Sequence, residues 1–267
     1  MIINKRVKNM LPIKDLDNLF VVADFDRTIT DSDSKTSWSI LSSSEYVPEE
    51  YKNDRQALYD KYRPIELDET MDPIERNKLI KEWFIKHIEL FVKYKITEEV
   101  FIDAATNLRI MEFRKGAKEF IEFLHDNNIL LIIISAGIGN FIECFLEHNN
   151  CYYDNIYVSS NKIIFKDGIA SGVNKNIIHS LNKNEVSLPK NIKSKIENRD
   201  KVIVMGDQIG DLRMVDKSLH DEVISIGFIA VDNNDLQRHI DSFDIVCEKK
   251  DDYFDILNEV FLVDEAS

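Results

Sequence analysis

Long apolar runs are missing from this chain of 267 residues. The longest, Ile129 to Ile134, is far too short to cross a bilayer. Cysteine is scarce: Cys144, Cys151 and Cys247 show no C-x-x-C spacing. That argues against a disulfide framework, and it points to small core residues and a reducing cytoplasm. Basic residues are in deficit, 34 against 48 acids, for a formal charge of −14. Nucleic acid and anionic membrane surfaces are poor partners for such a chain. A small anionic substrate remains open, provided a metal offsets the local field. The six histidines, His87, His125, His148, His179, His220 and His239, lack the paired spacing of a zinc site. The stretch Met1 to Lys14 is lysine-rich and has no apolar segment of signal length. No internal repeat stands out.

What is present suits a globular fold: 44% apolar and 31% charged residues. Strands are expected at Leu19–Asp24, Ile129–Ile134, Ile156–Ser159, Ile163–Phe165, Val202–Met205, Val223–Ile226 and Phe243–Val246. Several are continuous apolar runs, the pattern of strands covered on both faces. Helical spacing separates most of them, as in Ala117, Phe120, Ile121 and Leu124 before Asn127-Asn128, and Phe141, Ile142, Phe145 and Leu146 before Asn149-Asn150. The alternation predicts an α/β fold, a doubly wound Rossmann-like parallel sheet.

The segment from Ser32 to Met111 breaks that alternation. Asp72-Pro73-Ile74-Glu75 offers an N-cap, a proline at the first helical position and an acid at the third. Ile80, Trp83, Phe84, Ile88 and Phe91 then form an apolar stripe. So long a connection between two sheet strands reads as an inserted helical cap, with a linker plus a partner-binding helix as the alternative. The expected division is a core of residues 1–31 and 112–267 and a cap of residues 32–111.

Four groups carry chemistry. Leu19 to Ala23 leads into Asp24-Phe25-Asp26-Arg27-Thr28, where strand period would aim Asp24, Asp26 and Thr28 the same way. Buried acids are costly without a cation or a reaction that needs them, and a Mg2+ ion with a phosphoryl group would suit that point. Ser135-Ala136-Gly137-Ile138-Gly139 follows the second strand. Lys183 closes an expected helical stretch, Asn176 to Asn182. Gly206-Asp207-Gln208-Ile209-Gly210-Asp211 follows Val202–Met205. Four of the eight glycines fall in two of these groups, and glycine lets backbone approach a ligand. Each group alone has a bland reading: helix-capping aspartates, an N-cap serine, a solvated lysine, turn acids. The ordered set does not. The acidic pairs Glu49-Glu50 and Asp251-Asp252 read as solvated faces or helix starts. Trp38 and Trp83 could stack on a base, although Trp83 lies on the apolar stripe.

This order resembles the haloacid dehalogenase superfamily of phosphatases and phosphotransferases. Ser135–Gly139, Gly206–Met214, Asp241–Val246, Tyr62–Asp68 and Glu82-Trp83 further resemble the pyrimidine 5′-nucleotidase family of the cytosolic 5′-nucleotidase III type, over about Val21 to Ile256. The resemblance implies a Mg2+-dependent phosphomonoesterase acting on nucleoside 5′-monophosphates, pyrimidines favoured. It implies Asp24 as nucleophile and Asp26 as general acid and base. Ser135, Ala136, Gly137 and Lys183 would hold phosphate. Asp24, Asp207 and the backbone carbonyl of Asp26 would hold the metal, with Asp211 supporting the metal or the lysine. Glu66 would face the nucleoside. His87 stands where the family often has a small hydroxyl residue, and is taken as substrate-facing. The expected state is a cytoplasmic monomer or weak homodimer with a small-molecule substrate. A phosphatase for another small metabolite, a phosphotransferase and a noncatalytic nucleotide-binding module are the alternatives.

Overall fold

The computed structural model describes residues 1–106, 111–185, 188–229 and 236–262. Its centre is a seven-stranded sheet of order β1-β9-β8-β7-β2-β3-β4. The strands are β1 (Ile2–Ile3), β2 (Leu19–Ala23), β3 (Leu130–Ile138), β4 (Ile156–Asn161), β7 (Lys201–Gly206), β8 (Glu222–Phe228) and β9 (Ile245–Cys247). All pairings are parallel except the edge pairing of β1 with β9, which the sequence reading did not anticipate.

β2 lies between β3 and β7, at the reversal of strand order. Its five residues are buried, yet they feed two different cores. Phe20 and Val22 pack with Ile132, Ile134, Val202 and Val204 and with Ile192 and Ile196 of α7 (Lys190–Ile196). Leu19, Val21 and Ala23 join the opposite core. There they meet apolar residues of α5 (Ala117–Asp126), α6 (Gly139–His148) and α9 (Tyr253–Phe261). This double coverage is why the strand reads as an unbroken apolar run. The remaining core helix described is α8 (Leu236–Ser242).

The segment from Ser32 to Met111 is helical as expected over most of its described residues. It holds α1 (Ser37–Ile40), α2 (Glu49–Leu67), α3 (Pro73–Lys93) and α4 (Glu98–Thr106). Residues 107–110 of the expected cap lie outside the described residues. Asp72 caps α3 by accepting from the Ile74 and Glu75 N–H groups. All five residues of the apolar stripe are buried. Trp83 stacks on Tyr62 at 6.1 Å, and the Tyr62 hydroxyl donates to Glu82 at 2.7 Å, which clamps α2 to α3.

The expected strand at Ile163 is not in the main sheet. β5 (Ile163–Lys166) pairs with β6 (Ile169–Val173) as a separate hairpin. Its turn is Asp167-Gly168, both at positive φ, the sequence type a two-residue hairpin turn favours. The hairpin attaches to the helical insert through Ala170 N–H to the Ile96 carbonyl and Glu98 N–H to the Gly168 carbonyl. Cys151 and Cys247 are buried and Cys144 is partly so, all as free thiols. Glu49-Glu50 begins α2 and Asp252 caps α9, but Asp251 is no solvated acid. It is buried against the Met1 amine at 2.7 Å. Among the described residues no helix is long and apolar enough to cross a membrane.

Candidate active site

β2 ends at Ala23, so Asp24 is the first residue beyond the strand. Its amide donates to the Met205 carbonyl at 3.0 Å, which fixes the backbone against β7. Asp24 Oδ1 accepts the Phe25 N–H at 2.7 Å, and Oδ2 lies 2.7 Å from Lys183 Nζ. Lys183 also donates to Asp211 Oδ1 at 2.9 Å. Asp24, Asp207 and Asp211 each bring one carboxylate oxygen within 4.8 Å of the others, and all three are buried. Gly206 makes this approach possible, because a Cβ there would collide with the Asp211 carboxyl group.

One lysine cannot balance three buried carboxylates. Burial, with the charges of Asp211 and Asp207 added, pushes Asp24 up to about 7 against the pull of Lys183. Burial and Asp211 push Asp207 up to about 6. Burial opposes the charge on Lys183 as well, but Asp211 and Asp24 outweigh it and hold the ammonium above its usual range. The donor set is hard oxygen with excess negative charge, which fits a divalent cation such as Mg2+.

Asp26 is not part of that cluster. The chain beyond Asp24 leaves strand geometry for one wide turn, Phe25–Ile29, with Arg27 at φ 64°. The period of two therefore fails at Asp26. Its Oδ1 accepts the Ser37 N–H at 2.9 Å and its Oδ2 the Ser37 hydroxyl at 3.0 Å. Its side chain is aimed at the first helix of the insert, not at the Asp207 group. Burial first, then the charge of Asp24, pushes Asp26 up to about 6, against the two Ser37 bonds. Thr28 does not reach the site: it is fully buried, and its carbonyl accepts from Arg114 Nε and the Tyr253 hydroxyl.

β3 runs past Ile134 to Ile138 with a register shift against β4, so the serine group lies within its irregular end rather than after it. Ser135 Oγ accepts the Gly137 N–H at 3.0 Å. A Cβ at Gly137 would collide with Ser37 Oγ, so glycine lets the insert close onto the strand end. Ile138 N–H reaches the same Ser37 oxygen at 3.3 Å, and Trp38 Nε1 donates to the Ala136 carbonyl at 2.8 Å.

Lys183 does not close a helix. Asn176 to Asn182 is irregular. Asn161 bonds both the Ile178 N–H and carbonyl, while Asn182 accepts from His179 N–H and donates to the Ile177 carbonyl. These side chains take the backbone groups a helix would pair. The loop delivers Lys183 to Asp24, and Ser180 to Glu66 at 2.6 Å.

A cavity of about 740 Å3 opens over these groups. Its lining includes the predicted Asp24, Asp26, Ser135, Ala136, Gly137, Lys183, Asp207, Glu66 and His87. Asp211 stands behind Lys183. Trp38, Trp83 and Phe84 also line it, and Trp38 stacks on His87 at 5.2 Å. The sequence reading missed Ser37, Arg55, Arg63 and Ser180. Ser37 and Arg55 lie in the stretch Thr30 to Tyr59, which carries no family motif.

His87 is neutral. Burial, reinforced by the Arg55 charge, pushes it down to about 3 from 6.5. The unfolded chain takes up that proton below 6.5, so acid favours unfolding until the folded imidazole itself titrates. Between pH 6.5 and about pH 5, His87 should therefore cost roughly 2 kcal/mol of stability. Denaturant titrations should show wild type losing that much more than His87→Phe over the interval. Equal losses would mean that the imidazole is already solvated.

An aspartate pair after the first parallel strand of the core, with a buried lysine and two further aspartates after a later one, defines a phosphatase of the haloacid dehalogenase type. The fold agrees: a substrate-bound phosphoserine phosphatase superposes with a TM-score of 0.58 over 90% of this chain and 96% of that one, at 20% identity. The chain belongs to the pyrimidine 5′-nucleotidase (UMPH-1) family, which it matches over residues 26–263. It is a hydrolase of the 5′-nucleotidase kind. The 7-methylguanosine phosphate-specific 5′-nucleotidases of Drosophila melanogaster and Homo sapiens are each 33% identical over 91% of this chain, covering 79% and 83% of theirs. Cytosolic 5′-nucleotidase IIIB bound to cytidine superposes with a TM-score of 0.82, at 30% identity, over 92% of this chain and 85% of that one.

Proposed function

We propose that the protein hydrolyses nucleoside 5′-monophosphates, pyrimidine nucleotides favoured, through a phosphorylated Asp24. The observation that carries this is the shared Lys183, bonded at once to Asp24 and Asp211, below a cavity large enough for a nucleoside. A Mg2+ ion held by Asp24, Asp207 and the Asp26 carbonyl, with Asp211 in support, would offset the charge of the incoming phosphate.

The chain's own residues account for the rest. A carboxylate oxygen of Asp24 attacks phosphorus as the bond to O5′ breaks, and the Asp26 carboxyl gives its proton to O5′. A water then loses a proton to Asp26 and attacks the same phosphorus, releasing phosphate and restoring Asp24. With a pKa near 6, Asp26 is placed to act in both directions close to neutrality. Lys183, Ser135 and the backbone of Ala136 and Gly137 hold phosphate oxygens. Glu66 and His87 face the nucleoside.

Residues 32–111 act as a cap that closes over the nucleoside and opens for release. The protein works in the cytoplasm as a monomer or weak homodimer. Phosphate release from a panel of nucleoside 5′- and 3′-monophosphates and sugar phosphates, with Mg2+ and with a chelator, tests the reading. The expected result is Mg2+-dependent turnover confined to 5′-nucleotides. Turnover of sugar phosphates alone would overturn it in favour of another small phosphorylated metabolite.

A further inference from the structure

Arg55 lies on α2, lines the cavity and is half-buried. Its Nε is buried without a hydrogen-bond partner, and among the described residues no carboxylate lies within ion-pair distance of it. Its titratable neighbours are the neutral phenols Tyr51 and Tyr59, on its own helix, and the imidazole of His87 on α3, which its charge helps keep neutral. His87 in turn stacks on Trp38.

The acids at this end of the cavity are committed elsewhere. Glu66 pairs with Arg63 and accepts from Ser180, while Glu69 pairs with Arg238 at 3.0 Å. A guanidinium in a cavity wall, with neutral aromatic neighbours and no counter-charge, disfavours a second cation and favours oxygen acceptors.

We propose that Arg55 makes the insert end of the cavity select against nucleotides whose base carries a positive charge and in favour of neutral bases with carbonyl acceptors. This rests on the nucleotidase reading above and names the specificity of that site. A cationic base could still stack on Trp38 or His87, but it would meet an uncompensated charge. A neutral base carbonyl would find a donor there.

The test is kcat/KM on pairs of substrates that differ by one methyl group and one charge. Cytidine against 3-methylcytidine 5′-monophosphate is one pair, and guanosine against 7-methylguanosine 5′-monophosphate is the other. Wild type should prefer the neutral member of each pair by about tenfold or more. Arg55→Leu should cut that preference by about tenfold, mainly by lowering KM for the cationic member. Arg55→Lys, which keeps the charge, should retain it. The steric effect of the methyl group is common to all three proteins and cancels. Arg55→Gln is a second neutral variant should the leucine protein fail to fold.

Ratios unmoved in the neutral variants, or a wild-type preference for the cationic members, would overturn the assignment. A wild type that turns over no nucleotide would instead sink the nucleotidase reading, and this inference with it. That failure shows in the unmutated protein, so the two are distinguishable.

Discussion

Asp24→Asn should fold normally and lose turnover by about four orders of magnitude or more, the scale seen when an essential nucleophile is removed. The amide is isosteric with the carboxylate, and its oxygen can still accept the Phe25 N–H that the carboxylate accepts at 2.7 Å. Lys183 keeps its second partner, Asp211 at 2.9 Å. What is lost is the anionic oxygen that must bond to phosphorus. Removing one of three buried acids also relieves repulsion, so melting temperature without added cation should hold or rise. Phosphate release and thermal melts check both halves. Acid-quenched wild type should carry label from a phosphate-labelled nucleotide, and the variant none. Activity within tenfold of wild type would rule out the covalent role.

Asp26→Asn should separate substrates by their leaving groups. A nucleoside O5′ must be protonated as it departs, and general acid catalysis is worth about 10²–10⁴-fold. A nitrophenolate leaves without a proton. The variant should therefore lose about that factor on nucleotides and only a few-fold on 4-nitrophenyl phosphate. The Asp26 carboxylate already accepts two hydrogen bonds from Ser37. The asparagine oxygen can keep one of them, so the substitution changes chemistry more than placement. Equal losses on both substrates would show that Asp26 supports the site structurally and donates no proton.

Much of this site was legible because its signals are local. Leu19 to Ala23 reads as a strand since alternate residues serve two cores, and a strand so covered must be apolar throughout. Asp24, Ser135 and Asp207 follow from where apolar runs stop. The extrapolation to Thr28 failed because the period of two ends with the strand, and Arg27 at positive φ turns the chain away. The helix before Lys183 failed because Asn161, from a distant strand, claims the backbone of Ile178. Nothing near Asn176 in sequence announces that partner. Ser37 and Arg55 were illegible for a related reason: each matters through a neighbour on another element, and neither leaves a periodic trace. Ile163–Phe165 was legible as a strand, but its pairing was not: the Asp167-Gly168 turn, with both residues at positive φ, returns the chain as a separate hairpin.

The bond pair between Asp26 and Ser37 ties two scales together. Ser37 is the first residue of α1, where the chain enters the insert, and it bonds the carboxylate through both its main chain and its side chain. The same hydroxyl also receives Ile138 N–H from the end of β3. Asp26, the end of β3 and the entry to the insert therefore share a single latch. If the insert opens as proposed, a swing of α1 away from the sheet would release Asp26 and uncover the strand end in one movement, so the open form would also lack its positioned acid.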